Sequence, residues 1–337
     1  MVTESPWKVK EFDFPKDVEL TEQLTFLIRY ALLAPSNRNM QPWRFSVTPK
    51  TIKIYPDLSR KLPVADPTNR ELYISLGCAL ENILVAADYF GFHTKVNYLP
   101  EGETSGPAAV VSLEPEKEPF SRSLFFSITR RHTNRHKYGP ISIEKELLEN
   151  LSACRGEKEL SFDIVTDKEL KEHLGKIIAE GDILQFSNKT FREEYAAWLR
   201  PNLSSVEDGI PGYAQGVSML PSLFTRAVVR GLGLSKNRAE KNSKLVEASP
   251  AVAIISSKRN DKESWLRVGQ YYERLALLAT SLGIVQAPLN QPTEIPELAT
   301  RLANLLDRKE RPQMIFRMGH ANPALPTPRR PLEKVLL

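Results

Sequence analysis

The chain has 337 residues, 41% hydrophobic and 26% charged, with a net charge of +5. That is enough apolar material for one large or two ordinary domains, and it sets aside a disordered chain. Two separated cysteines, Cys78 and Cys154, and five scattered histidines offer neither a disulfide framework nor a metal cluster and point to free thiols in a reducing, cytoplasmic setting. No apolar run reaches the ~18 residues of a membrane span, residues 1–10 lack a signal-peptide core, and the basic excess at 226–244 and Arg329-Arg330 carries no nucleic-acid motif, so neither a membrane nor a nucleic-acid partner is expected.

Residues 20–33 place Leu24, Leu27, Ile28, Ala31 and Leu32 at helical spacing. Pro35 ends this helix, because the residue before a proline is pushed out of the α region. Ser36, Asn37, Asn39 and Gln41 follow in a short turn, and 43–47 with 52–55 read as a hairpin. After a polar loop comes a helix over 71–90, apolar around much of its circumference and so central, stopped by Gly91. Strands are predicted at 94–99 and 108–113. The charged, proline-bounded stretch 115–119 divides the chain into halves, 1–118 and 119–337.

In the second half, helices are predicted at 121–131, 141–152, 167–186 and 190–199, with a strand at 160–165. Glycines and prolines then loosen the pattern over 201–244. A strand at 252–256, a second long buried helix at 265–282, a strand at 315–318 and an extended arm at 321–337 complete the chain.

The two central helices align at an offset of 192 positions, which matches Gly77, Glu81, Ala87 and Gly91 with Gly269, Glu273, Ala279 and Gly283. This reads as two divergent copies of one α+β unit. The Ser/Asn/Gln loop at 36–41 has no counterpart after 141–152, and the basic turn at 130–135 has none before residue 20. Independent drift gives no reason for complementary losses, whereas one ligand site assembled from a piece of each half does.

Hydroxyl and amide groups such as those of Ser36, Asn37, Asn39 and Gln41 donate and accept hydrogen bonds without carrying charge. They suit the edge of a flat heterocycle whose own charge changes, and equally a capped helix end. Arg131, His132, Thr133 and Arg135 offer charge-assisted donors to an anion, or form a solvated surface. Arg329 and Arg330 lie in a proline-stiffened arm that loses less entropy on closing over an anion. No acid or base stands out as catalytic.

The motif Pro-Ser-x-x-Asn-x-Gln-Pro-Trp at 35–43 resembles the flavin-edge loop of the nitroreductase family, FMN-dependent oxidoreductases with α+β subunits. Residues 131–135 resemble that family's turn around the FMN phosphate and ribityl chain, and 326–332 its C-terminal phosphate-binding segment. Pro288, Leu289 and Asn290 match the segment along the isoalloxazine, with Asn290-Gln291 where the family often has Glu-Gly. Over most of 20–335 the chain resembles the fused, Acg-like subfamily.

This resemblance implies a tandem, pseudo-dimeric α+β fold, each half a mixed or antiparallel sheet packed with helices around a long central helix. It implies one FMN held by Ser36, Asn37, Asn39, Gln41, Arg131, His132, Thr133, Arg135, Pro288, Leu289, Asn290, Arg329 and Arg330, with the flavin and no protein group carrying the chemistry. The expected reaction is hydride transfer from NAD(P)H to a small nitroaromatic or quinone-type acceptor, performed by a monomer. The stretch 201–244 becomes a lid-like insertion whose apolar islands, Met219-Leu220, Leu223-Phe224 and Val228-Val229, would shield the ring. A lid that stays shut would make the protein a flavin store instead of a reductase.

Overall fold

The computed structural model describes residues 5–115, 122–154, 156, 159–231 and 235–337, so the expected division at 118/119 lies outside the described residues. The first part runs α1 (Leu20–Ala31), β1 (Trp43–Thr48), β2 (Thr51–Pro56), α2 (Arg70–Tyr89), β3 (Phe92–Tyr98) and β4 (Ala109–Pro115). Then come α3 (Arg122–Ile128), α4 (Lys145–Ala153), β5 (Leu160–Val165), α5 (Lys168–Ser187), α6 (Lys189–Ala197), β6 (Leu199–Arg200), β7 (Ile210–Pro211), α7 (Met219–Ser222), α8 (Thr225–Gly231) and α9 (Ser235–Glu247). The chain closes with β8 (Ala251–Ser257), α10 (Lys262–Ser281), β9 (Val285–Pro288), α11 (Gln291–Glu294), α12 (Pro296–Leu305) and β10 (Arg311–Gly319).

Two antiparallel four-stranded sheets, ordered β1-β2-β4-β3 and β5-β8-β10-β9, carry this α+β fold. Their connections correspond. In each, the second strand leads into a long helix, the next strand leaves that helix at the far edge, and the last returns between the two. Strand β8 is buried at every residue, as expected of a central strand covered on both faces.

Helices α2 and α10 form the centre and touch reciprocally. A Cβ on Gly77 would lie 2.0 Å from the Leu266 carbonyl oxygen, and one on Gly269 would lie 2.0 Å from that of Ile74. Both the glycines and the carbonyls are related by the same 192-residue offset. Helix α2 passes a hydropathy test for a membrane span at a mean of 1.2, yet 83% of that window is buried. Its apolar circumference is therefore met by protein.

The segment between β5 and β8 departs most from expectation. The extra material in the second half begins directly after β5 and includes α5, α6 and α9, not just 201–244. Glycine punctuation concealed α9. Two of the three expected shielding islands are also corrected: Met219, Leu220, Leu223 and Phe224 are exposed, so they do not face the interior, whereas Val229 of the third is buried. Elements α12 and β9 were not anticipated, and α11 and α12 start at Asn290-Gln291-Pro292 and Pro296, where proline suits a first helical turn.

The C-terminal arm crosses back to the first sheet. The Phe45 amide donates to the Val335 carbonyl (2.8 Å), and the Leu337 amide to the Phe45 carbonyl (2.8 Å). Val335 is fully buried. This crossing sets Arg329 and Arg330 beside the loop after α1.

Candidate active site

Three segments far apart in sequence meet around one cavity of about 210 Å³. The loop after α1 contributes Pro35 to Arg38, the turn after α3 contributes Thr133 and Arg135, and the end of β9 contributes Ala287 to Gln291. The backbone explains why the last two meet. Thr133 bridges to Gln286 in parallel, and the Asn134 amide donates to the Gln286 carbonyl (3.0 Å). A side chamber of about 40 Å³ is lined by Arg131, His132, Arg329 and Asn39, and shares Pro35, Ser36, Thr133, Arg135 and Ile210 with the main cavity.

The loop at 36–41 is strained. Arg38, Asn39 and Gln41 have φ of 50°, 54° and 50°, the left-handed region that L side chains rarely adopt. Such strain persists only where surroundings over-determine it. Here the Gln41 amide donates to Ser36 Oγ (2.9 Å). Asn39 Nδ2 donates to the Gly209 and Pro328 carbonyls (both 3.0 Å), and Gln41 Nε2 to the Glu207 carbonyl (2.8 Å).

Not every expected residue lies on the cavity. Ser36, Asn37, Thr133, Arg135, Pro288, Leu289 and Asn290 line the main cavity, and Asn39, Arg131, His132 and Arg329 the side chamber. Gln41 and Arg330 line neither, which corrects the expectation that they contact a ligand. The Arg330 amide donates to Gln41 Oε1 (2.8 Å), and its Nη1 donates to the Gln41 carbonyl (3.1 Å), so the pair fastens the arm to the strained loop. Arg329 is largely committed too: Nη1 donates to Asn39 Oδ1 (2.9 Å), and Nη2 to the Leu33 and Ala34 carbonyls (both 3.2 Å).

The side chamber holds buried guanidinium donors without hydrogen-bond partners. Arg131 and Arg329 are 2% and 5% exposed, and Arg131 Nε and Nη1 and Arg329 Nε lack hydrogen-bond partners among the described residues. Arg131 Nε does approach Glu273 Oε1 at 3.1 Å, a charge contact without hydrogen-bond geometry. Burial, and then Arg131, push the Arg329 guanidinium down to about 9. Burial, then Arg131 and Arg329, hold His132 neutral down to about 3. Arg135 has no hydrogen bond or ion pair among the described residues. An anion entering here would meet the already dehydrated donors of Arg131 and Arg329, the situation in which charge-assisted hydrogen bonds are strongest, and the exposed guanidinium of Arg135.

The wider cavity has walls the sequence did not announce. Phe186 and Phe191 edge each other at 5.3 Å. Tyr195 lies between Arg38 and Arg238, whose guanidinium carbons are 5.2 and 5.1 Å from its ring centre. Burial raises the Tyr195 hydroxyl, but Arg238, Arg135 and Arg38 together bring it below its usual value. On α9, Arg238, Lys241, Asn242 and Leu245 line the cavity at one-face helical spacing, a signal that was legible had the helix been recognised. Glu71 and Glu294 also line it. No group of potential metal ligands occurs among the described residues.

No family model matches the chain. A Mycobacterium tuberculosis H37Rv protein named "Putative NAD(P)H nitroreductase Rv3131" is 27% identical over 325 residues, 94% of this chain and 91% of the relative. Another from that strain, "Putative NAD(P)H nitroreductase acg", is 23% identical over 334 residues, 95% of this chain and 97% of the relative. Among solved structures, the FMN and NADPH-dependent nitroreductase NfnB of Sphigopyxis sp. strain HMH is 15% identical with a TM-score of 0.40, covering 64% of this chain and 97% of that one. A nitroreductase with bound FMN from Bacteroides fragilis is 15% identical with a TM-score of 0.36, covering 60% and 90%. The chain is thus an α+β protein in which three segments distant in sequence converge on one cavity. Along nearly its whole length the chain is similar to these two proteins named as putative NAD(P)H nitroreductases.

Proposed function

We propose that this chain binds one FMN, its phosphate in the side chamber and its ring in the main cavity, and works as an NAD(P)H-dependent oxidoreductase on a nitroaromatic or quinone-type acceptor. The observation that carries the reading is the pair of buried arginine donors without partners, Arg131 Nη1 and Arg329 Nε, beside the uncommitted Arg135. A dianionic phosphate suits that donor set, and Thr133 adds a hydroxyl. FMN supplies hydride acceptance and donation when bound. The protein's own part is to orient and enclose: Ser36, Asn37 and Pro288 to Asn290 line the ring's cavity, and the aromatic wall of Phe186, Phe191 and Tyr195 limits water.

The matching connections of the two sheets and the reciprocal glycine contact support a tandem reading, in which one chain supplies both halves of the site and acts as a monomer. The test is titration of the purified protein with FMN and with riboflavin, followed by anaerobic NADPH and a quinone. Tight FMN binding, weak riboflavin binding and bleaching of the flavin by NADPH are expected. Equal affinity for the two flavins would remove the side chamber from the argument.

A second reading, a flavin store, draws on one observation. Glu194 in α6 accepts from Arg38 Nη1 (2.7 Å) and from the amides of Val64 (2.7 Å) and Ala65 (3.1 Å). This latches the insertion onto the strained loop. A latch that never opens would keep nicotinamide out.

A further inference from the structure

Glu71 stands in the first turn of α2, 4% exposed, and lines the main cavity. Asn290 Nδ2 donates to both of its carboxyl oxygens, at 3.1 and 3.2 Å. The orientation of that amide is fixed, because Asn290 Oδ1 accepts from the Ile315 amide at 3.1 Å. Arg70 Nη2 donates to Glu71 Oε1 and to Thr293 Oγ1 (3.0 Å). Among the described residues, Oε2 therefore has the side-chain amide of Asn290 alone.

The position of this carboxyl group matters. Asn290 lies in the segment that resembles the family's strip along the isoalloxazine, and Glu71 presents a carboxyl beside it in the same cavity. Resting on the oxidoreductase reading above, we propose that Glu71 is the proton donor to the acceptor, holding a proton at Oε2 and giving it to an acceptor oxygen as that acceptor is reduced. For a quinone the balance is complete. The reduced nicotinamide is oxidised and its hydride equivalent supplies two electrons and one proton. The Glu71 O–H bond breaks, an O–H bond forms on the quinone oxygen, and the carboxylate left behind is reprotonated from water.

The surroundings favour a proton there. Burial is the largest influence and raises Glu71 to about 8; Arg70 and Asn290 lower it, while Glu294 and Asp66 raise it. Glu294 is itself raised by burial, opposed by Arg38, Arg70 and its bond from Gln185 Nε2 (2.6 Å). Asp66 likewise sits above its usual value through burial, while accepting from the Leu72 amide (3.0 Å). Burial thus opposes the Arg70 contact and raises the carboxyl group toward the protonated form that a general acid requires.

The experiment compares benzoquinone, whose reduction consumes protons, with ferricyanide, whose reduction does not, using the FMN-loaded full chain. Glu71→Gln should lower quinone turnover at least roughly ten-fold more than ferricyanide turnover, and should erase an alkaline limb in the quinone profile. Glu71→Asp should restore the limb. Asn290→Asp, which puts a second carboxylate against Glu71, should move the limb to higher pH. Infrared difference spectra of the apoprotein between neutral and alkaline pH should contain protonated-carboxyl carbonyl intensity, shared with Glu273, Glu294 and Asp66, that Glu71→Gln reduces. Equal losses with both acceptors, or infrared intensity that Glu71→Gln leaves unchanged, would overturn the assignment. A protein that takes up no FMN yet keeps the Glu71-dependent infrared intensity would instead refute the oxidoreductase reading and leave the buried acid established.

Discussion

Gly77 and Gly269 bring the central helices so close that a methyl group on either would press into a carbonyl oxygen of the other helix, 2.0 Å away. Elsewhere in a helix, replacing glycine by alanine stabilises by about 1 kcal/mol through propensity. Here the sign should reverse. Gly77→Ala or Gly269→Ala is expected to cost about 3 kcal/mol through overpacking, measured as a lower urea midpoint at constant slope. A midpoint equal to or above that of the parent would mean that the helices part without penalty, and that the reciprocal contact is incidental.

The phosphate assignment separates two kinds of arginine. Arg135 faces both chambers without a partner, so Arg135→Gln should weaken FMN at least roughly ten-fold, given ~1.5–3 kcal/mol for each lost charge-assisted bond. Riboflavin binding should change little. Arg330 instead holds Gln41 and lies 3.6 Å from Asp57. Arg330→Gln should lower thermal stability while leaving the ratio of FMN to riboflavin affinity intact. Calorimetric titration of both variants with both flavins distinguishes the two roles, and a selective loss of FMN in Arg330→Gln would reverse them.

His132 gives a pH signature in the apoprotein. Folded, it stays neutral down to about 3 because of burial, Arg131 and Arg329; its ordinary value is 6.5. Between those values the unfolded chain binds the extra proton, so stability falls as pH drops through that window and is unaffected above it. Urea unfolding at pH 6.5 and 4.5 should show the parent losing about 2 kcal/mol more than His132→Gln over that interval. Identical losses in the two proteins would place the ring in contact with water or a carboxylate. Saturating inorganic phosphate should shrink the difference, since an anion in the side chamber favours the imidazolium.

Much of this arrangement was legible because local rules were strong. Pro35, Gly91 and Gly283 mark helix ends, and the apolar spacing of α1, α2 and α10 gave their bounds to within a few residues. The segments at 36–41, 131–135 and 288–290 were found as patterns, and they converge. What failed had physical reasons. Polar groups serve ligands and scaffolds alike, so Gln41 and Arg330 looked like ligand contacts while they bond to each other. Glu71 was hidden in an apolar helix, where a carboxyl declares itself only through the cavity beside it. Arg317, buried in β10 with Nη1 unpartnered on the cavity wall, likewise read as part of a strand.

The latch decides between reductase and store. Glu194 ties Arg38 and the amides of Val64 and Ala65 to the insertion, and Asp208 accepts from Arg200 (2.7 Å) and from Arg60. On the proposed reading, opening of these bonds would gate hydride delivery. Glu194→Gln removes the charge of one latch point and keeps its shape. Arg38 is 6% exposed, and its guanidinium carbon also lies 5.0 Å from the Phe191 ring centre, so the loop should hold together. The expected result is faster anaerobic bleaching of bound FMN by NADPH, by roughly ten-fold if one buried charge-assisted contact limits opening, with FMN affinity reduced less than the rate is raised. Stopped-flow absorbance under anaerobic conditions measures both. Slow bleaching in the parent that accelerates in Glu194→Gln identifies the insertion as a gate. Fast bleaching in both proteins shows that the cavity is already open to nicotinamide and eliminates the flavin-store reading.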